Sequence, residues 1–309
     1  MIISISRRTD IPAFFSEWFY NRIEDGYFMV RNPMNIHQVS KVTVTPQNAE
    51  CLVFWTKNPS FSFIENLPKL DEKGFNYYFQ FTITSYAQDI EKSVSRKTEI
   101  IEKFQKLSNQ IGKEKVIWRY DPIILNKKYN FDYHIKYFDY IAEKLSAYTE
   151  KVIISFVDCY SKIKTRLQEN EITELSQEEM RKLGIALKQI AEKHNLKIES
   201  CSETIDFDDI DIPHGHCIDG DLINRICQRN FIFKKDKTQR KECGCVTSVD
   251  IGSYNTCRHN CAYCYATWNG IIPNSIDNSS PLLGSVLSNE DKVTERKIPV
   301  LKEYNPELF

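Results

Sequence analysis

Cys257-Arg258-His259-Asn260-Cys261-Ala262-Tyr263-Cys264 sets three cysteines into eight residues, with gaps of three and two between them. A tight loop of that spacing turns three thiolates toward one centre. Thiolates are the ligands preferred by iron–sulfur clusters and by zinc. Three is one short of a closed four-ligand shell, so one position on a bound metal would stay open.

The chain has 309 residues, enough for one large α/β domain or a domain with an appendage. At 41% hydrophobic residues it can bury a substantial core. The formal net charge is −1, so no global basic field argues for nucleic acid. Met1-Ile2-Ile3-Ser4-Ile5-Ser6 runs straight into Arg7-Arg8-Thr9-Asp10 with no secretory signal, and no apolar run is long enough to span a membrane. A cytoplasmic location without a membrane partner is expected. Thiols stay reduced there, so ten cysteines, several of them clustered, read as metal ligands sooner than as disulfides.

Upstream of the cysteine loop, short apolar runs alternate with helical patterns. Strands are predicted at Ile2–Ile5, Cys51–Trp55, Tyr77–Thr84, Val116–Tyr120, Val152–Val157 and Leu196–Ser200. Continuous apolar runs of this length suit strands covered on both faces. Helices are predicted at Pro12–Glu24 behind the capping candidate Asp10, and at Ser60–Lys73, Ile90–Gln110, Phe131–Ser146, Gln177–His194 and Asp221–Arg229. Ser176-Gln177-Glu178-Glu179 is a capping-box signature. Phe28–Val30 and Lys41–Thr45 suggest an inserted hairpin, and Val246–Ile251 is a candidate extra strand feeding the cysteine loop. Strands alternating with helices imply a parallel sheet. The expected division is residues 1–230 as the α/β unit, 231–270 as a cysteine-rich segment, and 271–309 as a tail over the surface containing Pro273, Pro281, Pro299 and Pro306.

Parallel sheets bind ligands at the C-terminal ends of their strands. Just past the predicted strands stand Ser6 to Asp10, Trp55-Thr56-Lys57, Gln80 with Thr82 and Thr84, Arg119-Tyr120-Asp121, Ser155 to Asp158, and Glu199 to Glu203. Arg7, Arg8, Lys57 and Arg119 are candidates for an anion, because fixed cations partner carboxylate and phosphate well. The plainer alternative is structural ion pairing, as between Arg119 and Asp121.

The spacing and filling of the cysteine loop resemble the radical S-adenosylmethionine (SAM) superfamily, with Tyr263 as the aromatic residue before the third cysteine. Cys261-Ala262-Tyr263-Cys264-Tyr265-Ala266 looks most like the loop of spore photoproduct lyase and its relatives. The resemblance implies a [4Fe-4S] cluster on Cys257, Cys261 and Cys264, with SAM chelating the fourth iron and cleaved to a radical that abstracts hydrogen. It also implies an electron donor such as ferredoxin or flavodoxin. The implied fold is a partial parallel (β/α)6 barrel of TIM type. In that superfamily the cluster loop normally follows the first strand, whereas here it lies C-terminal, by permutation or as an appended arm. Tyr263 is expected to pack near SAM, and Arg8, Lys57 and Arg119 at the strand ends are the candidates for its carboxylate or for an anionic substrate. The Gly-Gly-Glu run common in the superfamily is missing. Ser6-Arg7-Arg8-Thr9-Asp10, Phe54-Trp55-Thr56-Lys57-Asn58-Pro59, Trp118-Arg119-Tyr120-Asp121-Pro122 and the cysteine-rich end further resemble a bacterial and archaeal family of unknown function, number eighteen forty-eight in that series.

Cys243-Gly244-Cys245 with Cys201 and Cys217 makes a complete four-thiolate set, for an auxiliary iron–sulfur cluster or for structural zinc. Cys51, Cys159 and Cys227 read as packed thiols. His214, His216 and His259 read as neighbours of metal sites rather than ligands. Lys234-Lys235-Asp236-Lys237 with Arg240-Lys241 reads as a solvated loop, with phosphate or nucleic-acid contact as the alternative; no stacking aromatics are interleaved there. Two other functional classes stay open. One is a zinc-stabilised barrel that binds an anionic ligand or nucleic acid without redox chemistry. The other is a lyase- or glycosidase-like barrel using Asp10, Asp121 and Glu199.

Overall fold

The structure, a computed structural model, describes residues 1–268, 277–297 and 301–304. In chain order the elements begin with β1 (Ile2–Ile5), α1 (Ile11–Phe14), α2 (Ser16–Asp25), β2 (Tyr27–Asn32), β3 (Asn35–Thr43) and β4 (Cys51–Thr56). Next come α3 (Phe61–Glu65), α4 (Pro68–Lys73), β5 (Tyr77–Thr82), α5 (Lys97–Ile111), β6 (Val116–Ile123), α6 (Phe131–Leu145) and β7 (Lys151–Phe156). The chain continues through α7 (Lys164–Glu169), α8 (Gln177–Lys193), β8 (Lys197–Ser200), α9 (Gly220–Cys227), β9 (Phe231–Ile232), β10 (Val249–Asp250), β11 (Lys292–Glu295) and β12 (Lys302–Glu303).

Seven strands form one sheet in the order β10-β1-β4-β5-β6-β7-β8. Every neighbouring pair is parallel. The sheet is open, with β10 and β8 as its edges. All six predicted strands are present within a few residues of their expected bounds, and the seventh is the candidate at Val246–Ile251, reduced to Val249–Asp250. Its register sets Val249 beside Ile3 and Asp250 beside Ser4.

Alternation along the strands divides the sheet into two buried faces. Ile3, Leu52, Phe54, Phe79, Trp118 and Ile154 pack against the helices. Phe54 stacks on Phe79 with ring centroids 4.7 Å apart, and burying each such ring contributes roughly 1.5–3 kcal/mol. Ile2, Val53, Tyr78, Ile117 and Ile153 face the other way, onto Cys217, Ile218, Leu222, Ile223 and Val246. Helix α9, the residues just before it and the cysteine-rich segment at Val246 therefore cover the second face. This is why the strands read as continuous apolar runs.

Local signals explain the helix boundaries. Asp10 caps α1 by accepting from the Ala13 backbone N–H at 3.0 Å, and Ser176 with Glu179 forms the expected capping box. Two predicted helices are each split in two. Pro68 opens a second helix because it suits a first turn but cannot continue one. At the other break, Phe15 adopts φ −134° between α1 and α2. The predicted helix Ile90–Gln110 begins only at Lys97, because Ile90 and Glu91 are held by the cysteine loop instead. The hairpin is present and longer than expected, pairing Tyr27 with Thr43. In the tail, β11 extends the hairpin and β12 pairs with β9. Pro273, Pro299 and Pro306 lie outside the described residues. Among the described residues, no helix is long and apolar enough to cross a membrane.

Candidate functional site

The loop after β10 starts beside the loop after β1. Ser4 donates to Asp250 at 3.0 Å and the Arg7 backbone N–H does so at 2.9 Å. Gly252 lets the chain pass, since a Cβ there would lie 2.1 Å from the Ser6 hydroxyl oxygen. Because β10 runs parallel to the other strands, the residues after it emerge at the same end as theirs.

The cysteine loop is then tied down from four sides. The Ala262 N–H donates to the Ile90 carbonyl at 2.8 Å, and the Ser93 N–H to the His259 carbonyl at 3.0 Å. Arg166 donates to the carbonyls of Cys264 at 2.6 Å and Cys261 at 3.4 Å. His259 meets Asp10 at 2.8 Å through Nε2, with both side chains buried. Cys257, Cys261 and Cys264 all line one cavity of about 360 Å³, together with the residues at the strand ends. That volume lies in the range of small-molecule sites.

The three thiols suit a cationic centre. Backbone N–H groups of His259 and Asp10 are directed at the Cys257 sulfur. Burial, with the nearby Cys264 and Asp10, pushes the Cys257 thiol up to about 12. Burial and Glu91 push Cys261 well above its ordinary value. Buried thiols in this state ionise when a metal supplies the compensating charge. Among the described residues, no group of three or more His, Cys, Asp or Glu side chains stands ready-made to hold a metal ion. The loop is a receptive arrangement and not a finished shell.

The expected cations divide on inspection. Lys57 is bonded to Glu91 at 2.7 Å, and its own N–H donates to Asp10 at 2.7 Å. Arg119 is buried and bonded to Asp121 through Nε at 2.9 Å, to Gln80 at 3.3 Å and to the Cys217 sulfur at 2.7 Å. Both lysine and arginine thus follow the ion-pair alternative rather than standing free for a ligand. Arg8 donates to the Gly252 carbonyl at 3.3 Å and lies over Tyr254. Arg7 differs: among the described residues its guanidinium takes part in no hydrogen bond or ion pair, and it rests 5.8 Å from the Trp55 ring on the cavity wall.

Glu91 was missed by the sequence reading and organises the site. It is 1% exposed and accepts from Lys57, Thr84, Lys97 and the Tyr263 hydroxyl. Burial opposes its ionisation, yet Lys57 and Lys97 outweigh that and hold its carboxyl below the ordinary range. Tyr263, expected beside SAM, has its hydroxyl anchored here. Only the tertiary fold shows that Glu91 is enclosed, for in sequence it sits inside a helix-like stretch.

Asp10, Asp121 and Glu199, considered as acid and base groups, all have strong partners. Asp121 is held by Arg119 and Ser155, and Glu199 takes Lys151 at 2.9 Å on both oxygens. The basic run closes around Asp236, which accepts from Thr238, and Arg240 pairs with Asp158 at 2.6 Å. Cys51 is buried in β4, and Cys227 donates to the Glu50 carbonyl at 3.3 Å. Cys201, Cys217, Cys243 and Cys245 line the same cavity.

The family described as a domain of unknown function, DUF1848, matches residues 2–266, and the chain belongs to it. No curated protein matches the chain.

Proposed function

We propose that this chain is a radical SAM enzyme in which Cys257, Cys261 and Cys264 hold a [4Fe-4S] cluster. The observation that carries the reading is positional. The three-cysteine loop leaves a strand of the parallel sheet and faces the cavity at the strands' C-terminal end. In this reading the open sheet is a partial (β/α)6 barrel. The edge strand β10 takes the place of the strand that normally feeds the cluster loop, so the chain is permuted rather than extended by a loose arm.

When bound, such a cluster supplies the electron for reductive cleavage of SAM, and with it a carbon radical able to take hydrogen from a substrate. The chain's own residues bind and position. Arg7 receives a carboxylate, either that of SAM or that of a substrate, because it reaches the cavity with its hydrogen bonds unused. Glu91 fixes Lys57 and Tyr263, Arg166 holds the loop carbonyls, and Asp10 fixes His259. The aromatic wall of Trp55, Tyr263 and Tyr265 limits water in the cavity. The expected electron donor is an external ferredoxin or flavodoxin.

The test is anaerobic reconstitution with iron, sulfide and dithionite, followed by assay for 5′-deoxyadenosine. The product is expected from the unsubstituted chain and not from Cys257→Ala. Zinc without iron or sulfide at this loop, together with no cleavage of SAM, would move the reading to a zinc-stabilised protein that binds an anion.

A further inference from the structure

Cys201 follows β8, Cys217 lies in the loop before α9, and Cys243 and Cys245 precede β10. Three separate excursions of the chain therefore supply the four thiols. The sulfurs of Cys201 and Cys217 stand 3.0 Å apart. Cys245 interacts electrostatically with both Cys217 and Cys243, and all four cysteines line the same cavity. The four thiols thus gather along one cavity without yet forming a finished metal shell.

We propose that these four cysteines form a mononuclear tetrathiolate site that holds zinc. Size decides between one ion and a cluster. Zinc–sulfur bonds of about 2.3 Å at tetrahedral angles set neighbouring sulfurs about 3.8 Å apart. Cys201 and Cys217 need to separate by only about 0.8 Å to meet that spacing, a small side-chain rotation. A cubane cluster would have to stand between the sulfurs and drive all four apart. A disulfide is the other way to join two close thiols, but its sulfurs lie about 2.05 Å apart, and the structure holds both cysteines as free thiols.

The surroundings are those of a metal thiolate. The Ile218 N–H donates to the Cys245 sulfur at 3.3 Å, and the Cys245 N–H is directed at the Cys243 sulfur. The buried Arg119 donates to the Cys217 sulfur at 2.7 Å. Four thiolates around one divalent ion leave a charge of minus two, which the Arg119 guanidinium at the Cys217 sulfur partly offsets. At Gly244 the chain passes close to the His216 ring, which a Cβ would meet at 2.1 Å and have to displace. The site also has a firm base. The Cys217 carbonyl accepts from the Tyr78 hydroxyl and the Gln80 amide of β5, both at 2.8 Å. Zinc here would clamp the cysteine-rich segment onto the central strand and fix one wall of the cavity.

This site is independent of the radical SAM reading, and the test keeps them apart. The full chain with Cys257→Ser, Cys261→Ser and Cys264→Ser is purified without oxygen from zinc-containing medium and its metals are counted. One zinc per chain is expected, and further replacement of Cys217→Ser should remove it. X-ray absorption at the zinc edge of the unsubstituted chain should show four sulfur neighbours at about 2.3 Å. That measurement serves equally if a variant does not fold. Iron with acid-labile sulfide at this site, or a folded chain free of zinc, overturns the proposal. Neither result bears on whether the chain cleaves SAM.

Discussion

The Lys57 ammonium lies 2.7 Å from Glu91, and that contact is almost sealed from water, with the carboxylate side chain 1% exposed. A cation that the sequence offers to a ligand is thereby turned into an anchor for the cysteine loop. Lys97 and Tyr263 complete the group around the same carboxylate. Removing one member of a buried charge group leaves its partners uncompensated, at a cost of about 3–5 kcal/mol. Glu91→Ala should lower the urea-unfolding free energy by that order. A change below about 1 kcal/mol would mean that water reaches the two lysines freely.

Arg7 gives the opposite expectation. It has no hydrogen-bond partner among the described residues, so Arg7→Met should leave stability nearly unchanged. It should weaken binding of an anionic ligand by the value of a charge-assisted hydrogen bond, about 1.5–3 kcal/mol, or roughly 10- to 150-fold in Kd. Calorimetric titration of the reconstituted chain with SAM measures this. Equal affinity in the variant and the unsubstituted chain removes Arg7 from the binding scheme.

Arg166 touches the loop only through backbone carbonyls. Arg166→Ala should therefore leave the three thiols in place but loosen the segment that presents them. The expected outcome is faster release of bound iron to a chelator, with the initial iron content unchanged. An unaltered release rate would show that Ile90, Ser93 and Asp10 hold the loop without it.

His134 is buried and accepts from the Tyr120 hydroxyl at 2.8 Å while its Nε2 side donates to the Ile124 carbonyl at 2.7 Å, which fixes the neutral ring. Burial lowers its pKa from 6.5 to about 4. Above pH 6.5 both folded and unfolded chains carry the neutral ring, so the full stability is present. As pH falls from 6.5 toward 4, the unfolded chain takes up the proton first, and stability drops by about 1.4 kcal/mol per pH unit, about 3.5 kcal/mol in all. Urea unfolding at several pH values should show a shallower acid slope for His134→Gln than for the unsubstituted chain. Parallel slopes would indicate that the ring is already protonated in the folded state.

Much of the scaffold was legible because it rests on local patterns. Apolar runs such as Cys51–Trp55 carry the strand signal within themselves, and Ser176 to Glu179 carries its own helix start. The boundaries that failed, as at Ile90, did so where a distant segment claimed the backbone groups that a helix would have used.

The sequence by itself determined that the chain alternates strands and helices, that polar groups follow the strands, and that three cysteines share one short loop while Cys243 and Cys245 form a close pair. These follow from periodicity and spacing, which need no knowledge of distant neighbours. Only the tertiary structure decided that β10 lies against β1, that Glu91 is enclosed beneath the cysteine loop, and that Lys57 and Arg119 are already paired while Arg7 is not. The reason is physical: whether a charge is free or satisfied depends on groups brought within a few ångströms from dozens or hundreds of residues away, and no local pattern encodes that distance.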